Sequence, residues 1–144
     1  MYVKVCGLKS AEAARVAIES GADAIGVVHA QGSPRHLEPD AARAVIDAAR
    51  DAVDTVLVVA TVPVAEAVAL ALGLGVAVRQ LHGNYTAADF ALASSTFPRV
   101  WRATSLTKHP DLHVGAQGEE LILLDAPRAV GGETWDLGAL AGSR

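Results

Sequence analysis

Six residues of this chain could do chemistry together. Cys6, the single cysteine, follows the run Val3-Lys4-Val5 and precedes Gly7, a pattern that predicts a short buried strand with the thiol at its C-terminal end. His29, His82, Arg102 and Asp125 stand at or near the ends of later apolar runs, and Arg35 lies on the loop after the second. In a parallel sheet or barrel, polar residues at C-terminal strand ends converge on one face. A thiol, a carboxylate and arginines around one mouth suit proton transfer on an anionic substrate. Each also has a plainer role. A lone cysteine often packs as a small hydrophobe, and Asp125 could simply cap a turn. Arg35 could pair with a surface carboxylate, and Arg102 could be a solvated charge at a strand end. His29 and His82 read as structural or positioning groups, since no paired metal-ligand spacing is present.

The elements that must position these residues alternate along the chain. Ser10 is a plausible N-cap for a helix whose Ala13, Ala14, Ala17 and Ile18 share a face, closed by Gly21. Ala24-Ile25-Gly26-Val27-Val28 is a second strand, followed by the broken loop Gln31 to His36. Pro39 opens a helix. A third strand runs from Thr55 to Ala60, and a helix follows from Pro63 towards Gly73 and Gly75. Val76 to Leu81 is a fourth strand ending at His82-Gly83, with a helix from Thr86 after it. Arg99 to Ala103 and Leu121 to Leu124 are the fifth and sixth strands. Between them Thr107 to Gly118 is polar and broken, so a fifth helix is short or missing; Thr134 to Ala141 reads as the start of a sixth. Crossovers of this length make βαβ units, so the class is α/β with a parallel sheet. Periodicity alone leaves an open doubly wound sheet and a barrel both standing.

Bulk properties narrow the function. The 144 residues predict one domain, 1–144, with a real core. With 51% hydrophobic and 19% charged residues, disorder is not expected. No window approaches the roughly 18 apolar residues of a membrane span, and no leader-like N-terminus stands out. One cysteine cannot form an internal disulfide, which fits a reducing, cytoplasmic setting. A net charge of −4 without a basic cluster argues against nucleic acid as partner. No Walker loop, dinucleotide fingerprint or nucleophile elbow is present; Gly73-Leu74-Gly75 follows a helix, the wrong context.

Five short segments then arrive in a telling order. Lys4-Val5-Cys6-Gly7-Leu8, Gly21-Ala22-Asp23-Ala24-Ile25-Gly26, Ser33-Pro34-Arg35, Gln80-Leu81-His82-Gly83 and Leu123-Leu124-Asp125 resemble the phosphoribosylanthranilate isomerase family from Val3 to about Leu140. The resemblance implies a (β/α)₈ TIM barrel of tryptophan biosynthesis. It implies the Amadori rearrangement of N-(5′-phosphoribosyl)anthranilate to an aminoketose, an aldose–ketose isomerisation without metal or organic cofactor. By resemblance Asp125 is the acid that protonates the furanose oxygen, and Cys6 is the base that takes the C2′ proton as thiolate. Arg35 matches the arginine at the anthranilate end of the substrate, and His82 a position on the site wall.

The chain also departs from that pattern. Against the family's Gly-Gly-x-Gly-x-x-Phe-Asp-Trp it reads Ala129-Val130-Gly131-Gly132-Glu133-Thr134-Trp135-Asp136-Leu137, so Gly132 and Asp136 alone match at the fixed positions and Gly132 is carried over as substrate-binding. Val28-His29 and Val59-Ala60-Thr61 replace the usual strand-end residues, and Arg102 stands where the family offers lysine. Six βα units against the barrel's eight imply a C-terminally truncated member, without the phosphate-gripping loops after strands seven and eight. Open sheet edges then imply self-association. Two alternatives stay open: a catalytically inactive relative that binds a ligand or partner, and a different enzyme on the same scaffold.

Overall fold

The computed structural model describes residues 1–105 and 112–125. Its elements alternate as β1 (Lys4–Cys6), α1 (Ala11–Glu19), β2 (Ala24–His29), α2 (Pro39–Asp47), β3 (Asp54–Val59), α3 (Val64–Leu74), β4 (Val78–His82), α4 (Ala87–Thr96), β5 (Val100–Thr104) and β6 (Leu121–Leu124). Helix boundaries follow the groups that satisfy the unpaired terminal amides. Ser10 Oγ accepts from Ala13 N at 3.1 Å, and Pro39 needs no partner at the first turn of α2. Thr86 and Asp89 cap each other at the start of α4. Gly75 ends α3 at φ +67°, a left-handed value that suits glycine.

The six strands are all parallel and lie in chain order, β1 to β6. Alternate side chains divide between two layers. Ile25, Val27, Leu57, Val59, Leu81 and Val100 face one core, joined by residues of all four helices such as Ala14, Ile46, Ala71 and Phe90. Val28, Val56, Val58, Val78 and Trp101 form the second core, which contains no residue of those helices. A doubly wound sheet reverses its strand order and carries helices on both faces. Sequential order with helices on one face is the winding of a barrel, so the architecture is a six-stranded TIM-barrel-like arc.

The fourth strand starts later than the sequence expectation, at Val78. Val76 and Ala77 precede the fourth strand rather than opening it. The Val76 amide closes α3 on Ala71 O, and the Ala77 amide donates to Thr55 O and Oγ1. Between β5 and β6, residues 113–118 form successive turns, with Ala116 N donating to His113 O and Gly118 N to Gly115 O. Residues 106–111 of that connection, the helix expected at Thr134 to Ala141 and Gly132 lie outside the described residues.

One buried group runs against the layer logic. Arg79 is fully buried on the helix side of β4. Its Nη2 donates to Ala93 O at 2.6 Å and its guanidinium lies 5.1 Å from the Phe97 ring centre. Nε and Nη1 have no partner, and burial pushes the group's pKa down to about 10. Ala93 O also accepts from Phe97 N, so it keeps a donor without Arg79.

The N-terminal ends of the strands carry a polar clasp. Arg99 bonds Asp54 Oδ1 at 2.7 Å and Glu120 Oε2 at 3.0 Å. Tyr2 donates to Asp54 Oδ2 at 2.6 Å, and Trp101 Nε1 to Glu120 at 2.9 Å. The Arg99 hydrogen bond holds the Asp54 carboxyl below its ordinary 3.8. Stability from this carboxylate is therefore present above 3.8 and lost as pH falls through the lower folded value. Asp54→Asn is expected to cost about 1 kcal/mol at neutral pH, and its deficit against the parent should shrink in urea melts below the ordinary carboxylate range. Arg79→Met, which removes a partly unsatisfied charge while keeping the stem volume, is expected to leave the urea midpoint unchanged or raise stability by about 1–2 kcal/mol.

Candidate active site

The helix-free face of the sheet gathers the chemistry. Val5 packs against the helix-side core, so its neighbours Lys4 and Cys6 project onto the other face. The same count places Gln80 and His82 there on β4, beside Val78, and Asp125 there beyond Leu123. Cys6 is exposed and reduced at the end of β1. After it the chain turns sharply, Gly7 N and Leu8 N both donating to Gly26 O at 2.8 and 3.1 Å.

That turn seats Arg35. Gly7 adopts φ +81°, and a Cβ built there would fall 2.5 Å from Arg35 Cδ. The guanidinium stem thus runs across bare backbone next to Cys6. The loop that presents it is strapped down at both ends. Leu37 N donates to Val28 O at 2.8 Å, His29 Nδ1 donates to Leu37 O at 2.9 Å, and Ala30 N donates to His36 Nδ1 at 3.1 Å. On the far side of the mouth, His82 Nε2 lies 3.4 Å from Asp125 Oδ2, both side chains being about two-fifths exposed.

Lys4 joins these groups; the sequence places it in the first motif but gives it no role. Its Nζ donates to Gln80 Oε1, and it lies 5.7 Å from the Trp101 ring centre. Burial lowers its pKa below 10.5, while hydrogen bonding and charge interaction with Cys6, and the charge of Asp125, pull the other way. The available signal was parity. A lysine inside an apolar strand, two positions before the thiol, must share the thiol's face. Gln80, two positions before His82, is found by the same count.

Arg102 sits elsewhere. It shares the parity of Val100, which faces the helix-side core, and it is buried against Glu119, Nε to Oε1 at 2.9 Å with the carboxylate side chain fully buried. The sequence reading puts it at a strand end, but it is the middle residue of β5, and the face it occupies is not that of Cys6. Gly132 lies outside the described residues.

His29, His36 and Glu38 bring three ligand-type atoms within 4.8 Å of one another. The hydrogen bonds commit them otherwise. His36 Nδ1 accepts from Ala30 N, so in a neutral ring the proton sits on Nε2, where it meets Glu38 Oε1 at 3.1 Å. A metal would have to break one of these bonds, and the cluster serves instead as the brace of the Arg35 loop.

Glycine at position 26 holds the site open. A Cβ there would fall 2.9 Å from Cys6 Sγ and 3.3 Å from Lys4 Cε. Gly26→Ala is expected to cost about 1–3 kcal/mol in chemical denaturation and to displace the thiol, read as a changed alkylation rate of Cys6.

The family model for N-(5′-phosphoribosyl)anthranilate isomerase matches residues 3–144. The N-(5′-phosphoribosyl)anthranilate isomerase of Geobacter metallireducens is 31% identical over 143 residues, 96% of this chain and 71% of the relative. The crystal structure of TrpF from Jonesia denitrificans superposes with a TM-score of 0.91 at 56% identity, covering 100% of this chain and 70% of that one. A phosphoribosylanthranilate isomerase solved with reduced 1-(o-carboxyphenylamino)-1-deoxyribulose 5-phosphate superposes at 0.77 and 25% identity, over 98% of this chain and 69% of its own.

Proposed function

This chain belongs to the N-(5′-phosphoribosyl)anthranilate isomerase family, and on that premise we propose that Cys6 and Asp125 carry out its Amadori rearrangement as base and acid. The observation that carries the reading is the shared helix-free face. The thiol ends β1, the carboxyl follows β6, and Arg35, His82 and Lys4 stand around them.

The chemistry follows from these positions. Asp125 gives its proton to the furanose ring oxygen as the C1′–O bond breaks, and the anilino nitrogen lone pair forms the C1′=N iminium. Cys6, as thiolate, takes the proton from C2′, and the C2′–H electron pair becomes the C1′=C2′ bond of an enolamine. Ketonisation returns a proton to C1′ and releases the one on the C2′ hydroxyl, so atoms and electrons balance without an external oxidant or reductant. His82, 3.4 Å from Asp125, is placed to hold the carboxylate once it has given up its proton. Arg35, stretched over Gly7 beside the thiol, is placed to pair with the anthranilate carboxylate. The solved relative with a bound phosphorylated product analogue supports this substrate class.

Two further properties belong to the same reading. Among the described residues no helix is long and apolar enough to cross a membrane, and a tryptophan-biosynthetic role would place the protein in the cytoplasm. β1 and β6 each pair on one side only among the described residues. Beside β1 an apolar groove is lined by Val3, Val5, Leu8, Val16 and Ala17, so self-association along that edge would cover it.

Complementation of a tryptophan auxotroph lacking the isomerase tests the activity, and turnover of phosphoribosylanthranilate tests the roles. Cys6→Ser and Asp125→Asn are each expected to lower kcat/KM by about 10²-fold or more with urea midpoints near the parent's. Turnover undiminished by either change would remove that residue from the mechanism.

A further inference from the structure

Lys4 is held in place by neutral partners. Its Nζ donates to the Gln80 side-chain carbonyl, and it lies near the face of the Trp101 indole. Neither partner cancels its charge, so the field of the ammonium reaches whatever anions share the face. Cys6 and Asp125 are the groups that do so, and both act to keep Lys4 protonated against the cost of its burial.

The geometry of β2 makes the arrangement specific. Gly26, in register with Cys6 on β1, leaves bare backbone against which both Lys4 Cε and Cys6 Sγ rest. Lys4 reaches from β1 across the concave layer to Gln80 on β4, on the face that also carries the thiol at the end of β1 and the His82–Asp125 pair.

We propose that Lys4 is a positioning residue for the isomerisation, whose ammonium favours the Cys6 thiolate before proton abstraction and the Asp125 carboxylate after proton donation. The inference rests on the acid–base roles proposed above, but its test does not need turnover. Because Cys6 is the single cysteine, iodoacetamide alkylation of the whole chain reads its thiolate directly. Lys4→Met keeps the stem and removes the charge; Lys4→Arg keeps the charge. At neutral pH, Lys4→Met should slow alkylation about tenfold, as loss of a neighbouring cation does for a thiol, and Lys4→Arg should restore most of the rate. In strongly alkaline solution, where thiols are ionised regardless, the parent and Lys4→Met rates should converge.

A lost packing contact would instead slow alkylation equally at every pH, and that result, or an unchanged neutral rate, overturns the proposal. If Lys4→Met fails to fold, Lys4→Gln carries the same comparison. Failure of the functional reading looks different: Cys6→Ser would retain turnover while the alkylation series still followed the charge at position 4.

Discussion

A parallel strand covered by helices on one side has two unequal rows of side chains. The helix-facing row must be apolar or fully compensated, because the helices shut water out. The other row answers to weaker demands near its C-terminal end, where the concave core gives way to a mouth. The strand residues proposed for catalysis all use that second row. Cys6, His82 and Asp125 end it on β1, β4 and β6, and Lys4 and Gln80 sit one residue pair deeper. Residues separated by more than a hundred positions meet because sequential strand order and period-two alternation leave them few other places to go.

Three cations are drawn into this sheet, and each is accommodated differently. Arg102 faces the helix side and is matched by a carboxylate as buried as itself, at 2.9 Å. Arg79 faces the same side with a carbonyl near the end of α4 and an aromatic ring in place of a counter-ion, and two of its nitrogens go without. Lys4 faces the open layer and is held by an amide and an indole. Removing one partner of a buried pair costs about 3–5 kcal/mol, whereas replacing a poorly compensated charge by an apolar group can stabilise. By that measure Arg102–Glu119 is a structural pair and Arg79 a tolerated burden. Lys4 alone keeps an uncancelled charge next to reactive groups.

The sequence and the fold agree wherever the controlling interaction is local. Ser10, Pro39, Gly75 and Thr86 mark helix ends through bonds made within a few residues of themselves, and each does so in the structure. The strand ends at Cys6, His29 and His82 were equally legible, since an apolar run followed by a polar residue and a turn signal needs no distant partner. What strand ends do not reveal is facing. Arg102 lies mid-strand in β5 and on the other face of the sheet from the site residues, and counting from Val100 separates it from them. Val76 and Ala77 have strand-like side chains, but their amides answer to α3 and Thr55, contacts that composition does not encode. The choice between open sheet and barrel depends on which face all four helices take, a long-range property invisible to periodicity.

The two ends of the strands divide the labour that a small enzyme fold has to share. At the N-terminal end, Tyr2, Asp54, Arg99, Glu120 and Trp101 satisfy one another, and the carboxylate there is held in its charged form by its neighbours. Such a clasp ties β3 and β5 to the chain's first residues without exposing any group to substrate. At the C-terminal end the pairing is looser. His82 and Asp125 stand at 3.4 Å and half in solvent, and the Cys6 thiol is exposed. A general acid must hold a proton before it can give one, and a carboxylate matched by cations and donors, as Asp54 is, stays ionised and has none to give. Rigidity at one end is what allows the other to keep its groups unsatisfied, and the backbone notch at Gly26 is where the two demands meet. It brings the charge on Lys4 up to the thiol while denying any side chain that would hold them apart.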